Sequence, residues 1–399
     1  MHNKALAAAA LVAAGLAVAA TGSQFYRTSP AGPPPPPPVI SGPSPEDSGF
    51  SARLLGADAL PSGARPVTLQ ADGRLIWMQP GKSLRHHWPG LAIHGNFTGT
   101  GAYLLFDDAV NRFRLTLDGN AKTALTITRP GRRLIELAGL PPGPHSLTLE
   151  KLSESPQAAG FGGIWAKPGG EALAPPPARQ PLIEVIGDSD SIGYGNSAPG
   201  RDCTANQVFL ATDATQAFPA LVAAQLGAAS RVIARSGIGI VRNYENSTPG
   251  ETMLDVYPLD QPDPEALPTQ TEDPADLIIL ALGSNDFSTP LGKDEGWTGV
   301  PDLEADAATG LADLAAMARL RNPGAALLLL AFGEYGDSLM EAHRQAMAQI
   351  KPATPDARLV VLPELERTAC HWHPSLADHR KIADHILEAI AALPRHWKD

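Results

Sequence analysis

Leu182-Ile183-Glu184-Val185-Ile186-Gly187-Asp188-Ser189-Asp190-Ser191-Ile192-Gly193-Tyr194-Gly195 is the stretch on which the reading of this chain turns. Residues 182–186 form a short, nearly continuous apolar run, the pattern of a parallel strand covered on both faces. The run then enters a turn rich in glycine and small polar residues. Four more such runs follow, at 231–235, 277–282, 326–332 and 358–362. Helical patterns lie between or after them, at 215–226, 305–321, 339–350 and 376–392. The last opens with Ser375 and carries Asp378 three residues on, a capping-box arrangement. Strands alternating with helices in this way predict a three-layer α/β/α domain with a parallel sheet, spanning residues 180–399.

Ligands of an open parallel sheet bind outside the carboxyl ends of its strands. Three polar motifs occupy such ends: the serine-bearing turn above, Ser236-Gly237-Ile238-Gly239, and Gly283-Ser284-Asn285-Asp286. A fourth, Cys370-His371-Trp372-His373-Pro374, directly precedes the final helix. Together they supply a hydroxyl, glycine N–H groups, an asparagine amide and an imidazole. Acyl transfer needs these parts: a nucleophile, a base for its proton, and donors for the oxyanion. Each motif alone reads as an ordinary turn, and the signal is the set of four in this order. Because position 191 is serine, the first is not the G-x-S-x-G elbow of the α/β-hydrolases.

Upstream of 180 the pattern is different. Residues 1–22 hold Lys4 and then a sixteen-residue apolar stretch, read as an export signal or an uncleaved N-terminal anchor. Sixteen residues are short for a span, which needs about 20. Residues 23–50 include six consecutive prolines, an extended polyproline spacer. Residues 51–170 show short alternating runs separated by Asp118-Gly119-Asn120, Pro130-Gly131 and Pro141-Pro142-Gly143. That spacing predicts an all-β sandwich. The chain has 399 residues and a formal net charge of −11, with no clustered basic surface, which argues against a nucleic-acid partner. Two cysteines exclude a disulfide-rich scaffold and a four-cysteine zinc site.

Gly187-Asp188-Ser189, Gly237, Gly283-x-Asn285-Asp286 and His373-Pro374 resemble the four blocks of the SGNH/GDSL hydrolases. Gly193-Tyr194-Gly195-Asn196 and the string from Ser236 through Arg242-Asn243-Tyr244 are similar to carbohydrate esterase family two in particular. Trp88-Pro89-Gly90, Phe97-Thr98-Gly99, Leu117-Asp118-Gly119 and Gly143-x-His145 resemble that family's jelly roll. The resemblance covers nearly everything after the proline segment. It implies an exported esterase, periplasmic or extracellular, that removes acetyl groups from carbohydrate and needs neither metal nor cofactor. By position it implies Ser189 as nucleophile and His373 as base. The N–H groups of Ser189 and Gly237 and the amide of Asn285 would form the oxyanion hole.

One departure is plain. SGNH enzymes usually carry an aspartate two or three residues before the histidine, and here those positions are His371 and Cys370. Family members that work with a serine–histidine pair orient the imidazole through a backbone carbonyl, which is the expectation here. Cys203 and Cys370 flank the first and last blocks; a disulfide between them would pin the histidine loop to the serine loop, and two free thiols are the alternative. Cys370, His371, His373 and His379 have no zinc-ligand spacing. Trp297 and Trp372 are the candidate sugar-stacking aromatics, with packing under a loop as the competing role of Trp372. Tyr194 and Tyr244 are expected to support their motifs, and His86, His87, His94 and His145 to be surface or turn residues. Two other functions stay open at this point: a lipase or thioesterase acting on lipid acyl chains, and a carbohydrate-binding relative that has lost catalysis.

Overall fold

The computed structural model describes residues 39–178, 181–262, 266–269 and 272–393. The expected export segment, 1–22, and residues 23–38 of the expected spacer lie outside them.

The first part is a pair of antiparallel sheets facing each other. One runs in the order Val39–Ser41, Leu125–Thr128, Arg112–Leu117, Pro144–Lys151, Ala92–Thr98, Leu69–Asp72. The other runs Ser51–Gly56, Gly131–Ala138, Gly101–Asp108, Ala159–Ala166, Ser83–His86, Leu75–Gln79, with Arg65–Pro66 paired onto Ala159–Ala166. Alternation decides which side chains enter the core: in Arg112–Leu117 the buried residues are Phe113, Leu115 and Leu117. They meet Phe106, Phe161 and Ile135 from the facing sheet.

Two expectations change here. The spacer does not extend to residue 50, because Val39–Ser41 is an edge strand in register with Thr128–Thr126 and Ile40 packs on the sandwich core. Two β-branched residues directly after the prolines suffice to add a strand to an open edge. The histidines are not surface groups either: His86, His94 and His145 are only 2, 6 and 8% exposed. His94 bonds Thr148 Oγ1 at 3.1 Å and lies 3.4 Å from Asp72, while His145 bonds Asp118 and the Pro141 carbonyl, both at 2.8 Å. These partners make the burial of His94 and His145 tolerable, while buried His86 has only Asp108, at 3.5 Å, as a polar partner among the described residues.

The second part is a five-stranded parallel sheet in the order Ala229–Ala234, Leu182–Gly187, Leu277–Ala281, Ala326–Phe332, Arg358–Leu362. Every residue of Leu182–Gly187, Leu277–Ala281 and Ala326–Phe332 is buried. Helices Val300–Arg321 and Asp337–Ile350 cover one face, and Phe218–Leu226 and Leu376–Ala391 the other. The helix expected from 215 begins at Phe218, because Pro219 is tolerated only in a first turn; a 3₁₀ turn, Ala214–Gln216, precedes it. The Ser375–Asp378 capping box is present in both directions. In this strand order the chain reverses direction between Leu182–Gly187 and Leu277–Ala281, so the crevice lies where those two strands end.

The sandwich is built into the hydrolase rather than hung beside it. Trp88, fully buried, sits in the same cluster as Ile186, Ile233, Ile238 and Leu280. Its loop is held by Lys151, whose buried ammonium donates to the carbonyls of His87 and Trp88 at 2.7 and 3.1 Å. Gly90, at φ 70°, lies against Val232; a Cβ there would come within 2.9 Å of its side chain. Arg74 also crosses the seam, with a two-pronged bond to Glu272 at 3.1 Å for each prong.

Candidate active site

Ser189 opens a four-residue helix, Ser189–Ile192, immediately after its strand. Asp188 is the N-cap, and its carboxylate accepts the Asp190 N–H at 3.0 Å. Gly187 must lack a side chain, because a Cβ would sit 2.0 Å from Ser191 Oγ. The turn therefore delivers the serine hydroxyl to the strand end, where His373 meets it: Nε2 lies 2.9 Å from Ser189 Oγ.

The other imidazole nitrogen, Nδ1, donates to the carbonyls of Cys370 at 2.9 Å and His371 at 3.1 Å. Carbonyls only accept, so Nδ1 carries the proton and Nε2 presents its lone pair to the serine. This is the backbone orientation expected where the usual aspartate is missing. Burial holds the His373 pKa below its ordinary value, opposed by the charge of Asp190 and assisted by that of Arg367.

The carbonyls come from a tight turn, Cys370–Trp372, in which His371 and Trp372 have φ of 51° and 64°. Left-handed backbone at two successive non-glycine residues is costly and persists only when neighbours enforce it. Here several do. Cys370 is disulfide-bonded to Cys203, with Cα atoms 5.5 Å apart. His371 donates its N–H to the Arg201 carbonyl and its Nε2–H to the Cys203 carbonyl, each at 2.8 Å. The Tyr194 hydroxyl donates to His371 Nδ1 at 3.1 Å, and its ring lies on His373 with centroids 4.3 Å apart. Gly195 leaves room for the bridge, since a Cβ would meet that of Cys370 at 2.5 Å.

Gly237, φ 77°, is the third residue of a turn closed by the Ile238 N–H on the Arg235 carbonyl at 3.3 Å. The rest of that block is fixed by Asp286, whose buried carboxylate accepts the N–H groups of Ile240, Val241 and Arg242 at 2.9–3.1 Å. Burial pushes Asp286 up to about 6 against those three donors. Gly239 has no alternative, because a Cβ would overlap the Arg242 carbonyl. Asn285 donates its amide to the Ile238 carbonyl at 2.8 Å and to Asp188 at 3.2 Å. Burial first, and then the adjacent Asp190, raise Asp188 to about 7. Asp190 is itself held low, the Arg367 guanidinium at 2.8 Å outweighing the effect of burial.

Sequence reading gave no individual role to Arg367 or to Arg242, although Arg242 stands in the family-like string Ser236–Tyr244; nothing around Arg367 in the chain signals one. Trp372 adjoins His373 and is 40% exposed, with the Arg201 guanidinium 3.5 Å from its ring centre. Trp297 is placed differently: its indole donates to Asp306 at 2.9 Å, and among the described residues no hydrogen bond or ring contact joins it to Ser189 or His373. Of the residues without zinc-ligand spacing, Cys370 is in the disulfide and His379 Nδ1 accepts the Phe218 N–H at 3.3 Å. Asp378 caps the last helix and also accepts the N–H groups of Glu366 and Arg367.

Residues 71–176 match the carbohydrate esterase 2 N-terminal family, and residues 183–386 match the GDSL-like lipase/acylhydrolase family. Over 353 residues the chain is 32% identical to an acetylxylan esterase/glucomannan deacetylase of Cellvibrio japonicus, covering 87% of this chain and 96% of that one. The chain belongs to carbohydrate esterase family 2. As a member of it, the protein is a carboxylic ester hydrolase with an SGNH domain behind an antiparallel-sheet domain. A cellulase/esterase of Acetivibrio thermocellus is 25% identical over 318 residues, 76% of this chain but 37% of that longer protein. Among solved structures, a carbohydrate esterase whose active site displays divergent catalytic and non-catalytic binding functions superposes with a TM-score of 0.76 at 31% identity, covering 83% of this chain and 99% of that one. A family two carbohydrate esterase from Clostridium thermocellum, in complex with cellohexaose, superposes at 0.68 with 24% identity over 81% and 98% of the two chains, a likeness of fold.

Proposed function

We propose that this esterase removes O-acetyl groups from a carbohydrate, with Ser189 as nucleophile and His373 as general base. The observation that carries the proposal is the 2.9 Å contact between Ser189 Oγ and a His373 Nε2 whose protonation state is set by two carbonyls. In this reading Oγ attacks the acetyl carbonyl carbon as its proton passes to Nε2. The N–H groups of Ser189 and Gly237 and the Asn285 amide receive the oxyanion. Collapse breaks the ester bond, and the sugar oxygen leaves with the proton from Nε2. A water molecule, deprotonated by the same nitrogen, then releases acetate and restores the serine. Trp372, adjoining His373 and partly exposed, is the aromatic side chain for a saccharide ring, whose C–H groups pack on aromatic surface.

Export follows from the charged start and apolar stretch of residues 1–22. Among the described residues no helix is long and apolar enough to cross a membrane. The test is hydrolysis of aryl acetate and aryl butyrate, followed by acetate release from acetylated xylan and mannan. Acetyl preference, abolished by Ser189→Ala and by His373→Ala, is expected. A preference for longer acyl chains would favour lipid esters and overturn the carbohydrate reading; no turnover by folded protein would overturn the catalytic one.

A further inference from the structure

The sandwich sends one side chain to the edge of the serine site. Between its strands Pro144–Lys151 and Ala159–Ala166 the chain loops toward the hydrolase, where the Leu152 carbonyl accepts the Ala214 N–H at 3.0 Å. Glu154 lies on this loop. One of its carboxylate oxygens accepts the Ser236 N–H at 2.8 Å and the other accepts the Ser236 hydroxyl at 2.6 Å.

Ser236 is the second residue of the Arg235–Ile238 turn and Gly237 the third. A φ of 77° at the third position is the type II arrangement, which glycine adopts without strain. The peptide joining Ser236 to Gly237 is the central peptide of that turn, and its N–H is the Gly237 donor. Type I and type II turns differ by a flip of this peptide, which reverses the direction of that N–H. Glycine at the third position tolerates both forms. Glycine thus permits the observed form, and contacts at the two ends of the turn set where it sits. On one side the Gly237 carbonyl accepts the Tyr244 N–H at 2.9 Å. On the other stands Glu154, which holds the N–H and the hydroxyl of Ser236.

We propose that Glu154 is a positioning residue: the sandwich supplies the carboxylate that anchors Ser236 at the head of the turn and so sets where the Gly237 N–H sits relative to the oxyanion. Burial raises the Glu154 pKa above the ordinary carboxylate range, opposed by the two Ser236 donors and then by the charges of Arg235 and Lys151. The inference rests on the serine–histidine reading and adds to it a residue from the other half of the molecule. It also assigns the sandwich a part in the reaction, separate from any part in glycan binding.

The test uses the full chain with Glu154→Gln and Glu154→Ala, beside Ser236→Ala and the Glu154→Gln/Ser236→Ala pair. Glutamine keeps the shape but turns an amide donor toward one Ser236 donor. Three readouts are taken: kcat and KM on an aryl acetate, inhibition by a boronic acid that forms a tetrahedral adduct with the serine, and melting temperature. For Glu154→Gln, kcat is expected to fall about ten-fold or more, with KM within about two-fold and boronic acid affinity falling in step. The double variant should lose no more than Glu154→Gln alone, since both changes cut one linkage. An active parent whose Glu154 variants keep kcat and boronic acid affinity, or lose only melting temperature, overturns the inference and leaves the serine–histidine reading intact. An inactive folded parent overturns both.

Discussion

His373 is held by Cys370 through the backbone: the imidazole Nδ1 donates to the Cys370 carbonyl at 2.9 Å, and the side chain of that same residue is bonded to Cys203. The disulfide thus fastens the acceptor that sets the tautomer of the base. A carboxylate in that place would add a charge that rewards imidazolium formation. A carbonyl offers a dipole and the same geometry.

This orientation has a consequence for pH. As the proposed base, His373 works as neutral imidazole, and burial holds its pKa below 6.5. Activity is lost as pH falls through that depressed value, so the acid limb of kcat/KM should have its midpoint below 6.5 and the profile should be level through neutrality. A pH series with an aryl acetate checks this, and a midpoint above 6.5 would contradict it.

Replacing both bridge cysteines, Cys203→Ala/Cys370→Ala, should cost about 2–4 kcal/mol of stability. It should also lower kcat more than it raises KM, because the released turn no longer keeps His371 and Trp372 left-handed. Dithiothreitol should reproduce the kinetic loss in the parent and do nothing further to the variant. Denaturant unfolding and steady-state kinetics measure the two effects separately.

Asn285→Ala removes an amide that ties the first and second blocks together and faces the oxyanion in the proposed reaction. Loss of such a donor costs about 2.7–4 kcal/mol of transition-state stabilisation, roughly 10²–10³ in kcat. KM for a small aryl ester should change little. A loss confined to KM would place Asn285 in substrate binding instead.

Trp88→Ala empties a fully buried indole site inside the hydrolase cluster and should cost about 3–5 kcal/mol. The parent should unfold in one cooperative transition because this side chain belongs to both halves. The variant should separate into two, visible by calorimetry and by tryptophan fluorescence.

The hydrolase half was largely legible in the sequence. Its five strands fall within two residues of their expected bounds, since buried parallel strands write themselves as uninterrupted apolar runs. Ser189 and His373, 184 positions apart, are paired by the resemblance to the SGNH blocks and lie in contact. What escaped was whatever depends on a distant partner. His94 and His145 are buried because Thr148, Asp72 and Asp118 happen to face them. Glu184, in the middle of the strand that leads to the serine, is fully buried and met by Arg231 at 2.5 Å and by the Tyr257 hydroxyl at 2.6 Å. Val39–Ser41 was too short to announce a strand, and only the open edge at Leu125–Thr128 makes it one. Nothing near Glu154 or Trp88 reveals that each serves the other half of the chain.

The seam through which Trp88 passes bears on how such a protein can be recombined. A cut in the proline-rich stretch near residue 176, inviting on the page, would leave one fragment with an indole-shaped hole and the other with a naked tryptophan. Grafting this hydrolase onto a different partner would require a matching plug as well as a compatible linker. The two halves are therefore inherited, engineered and lost together.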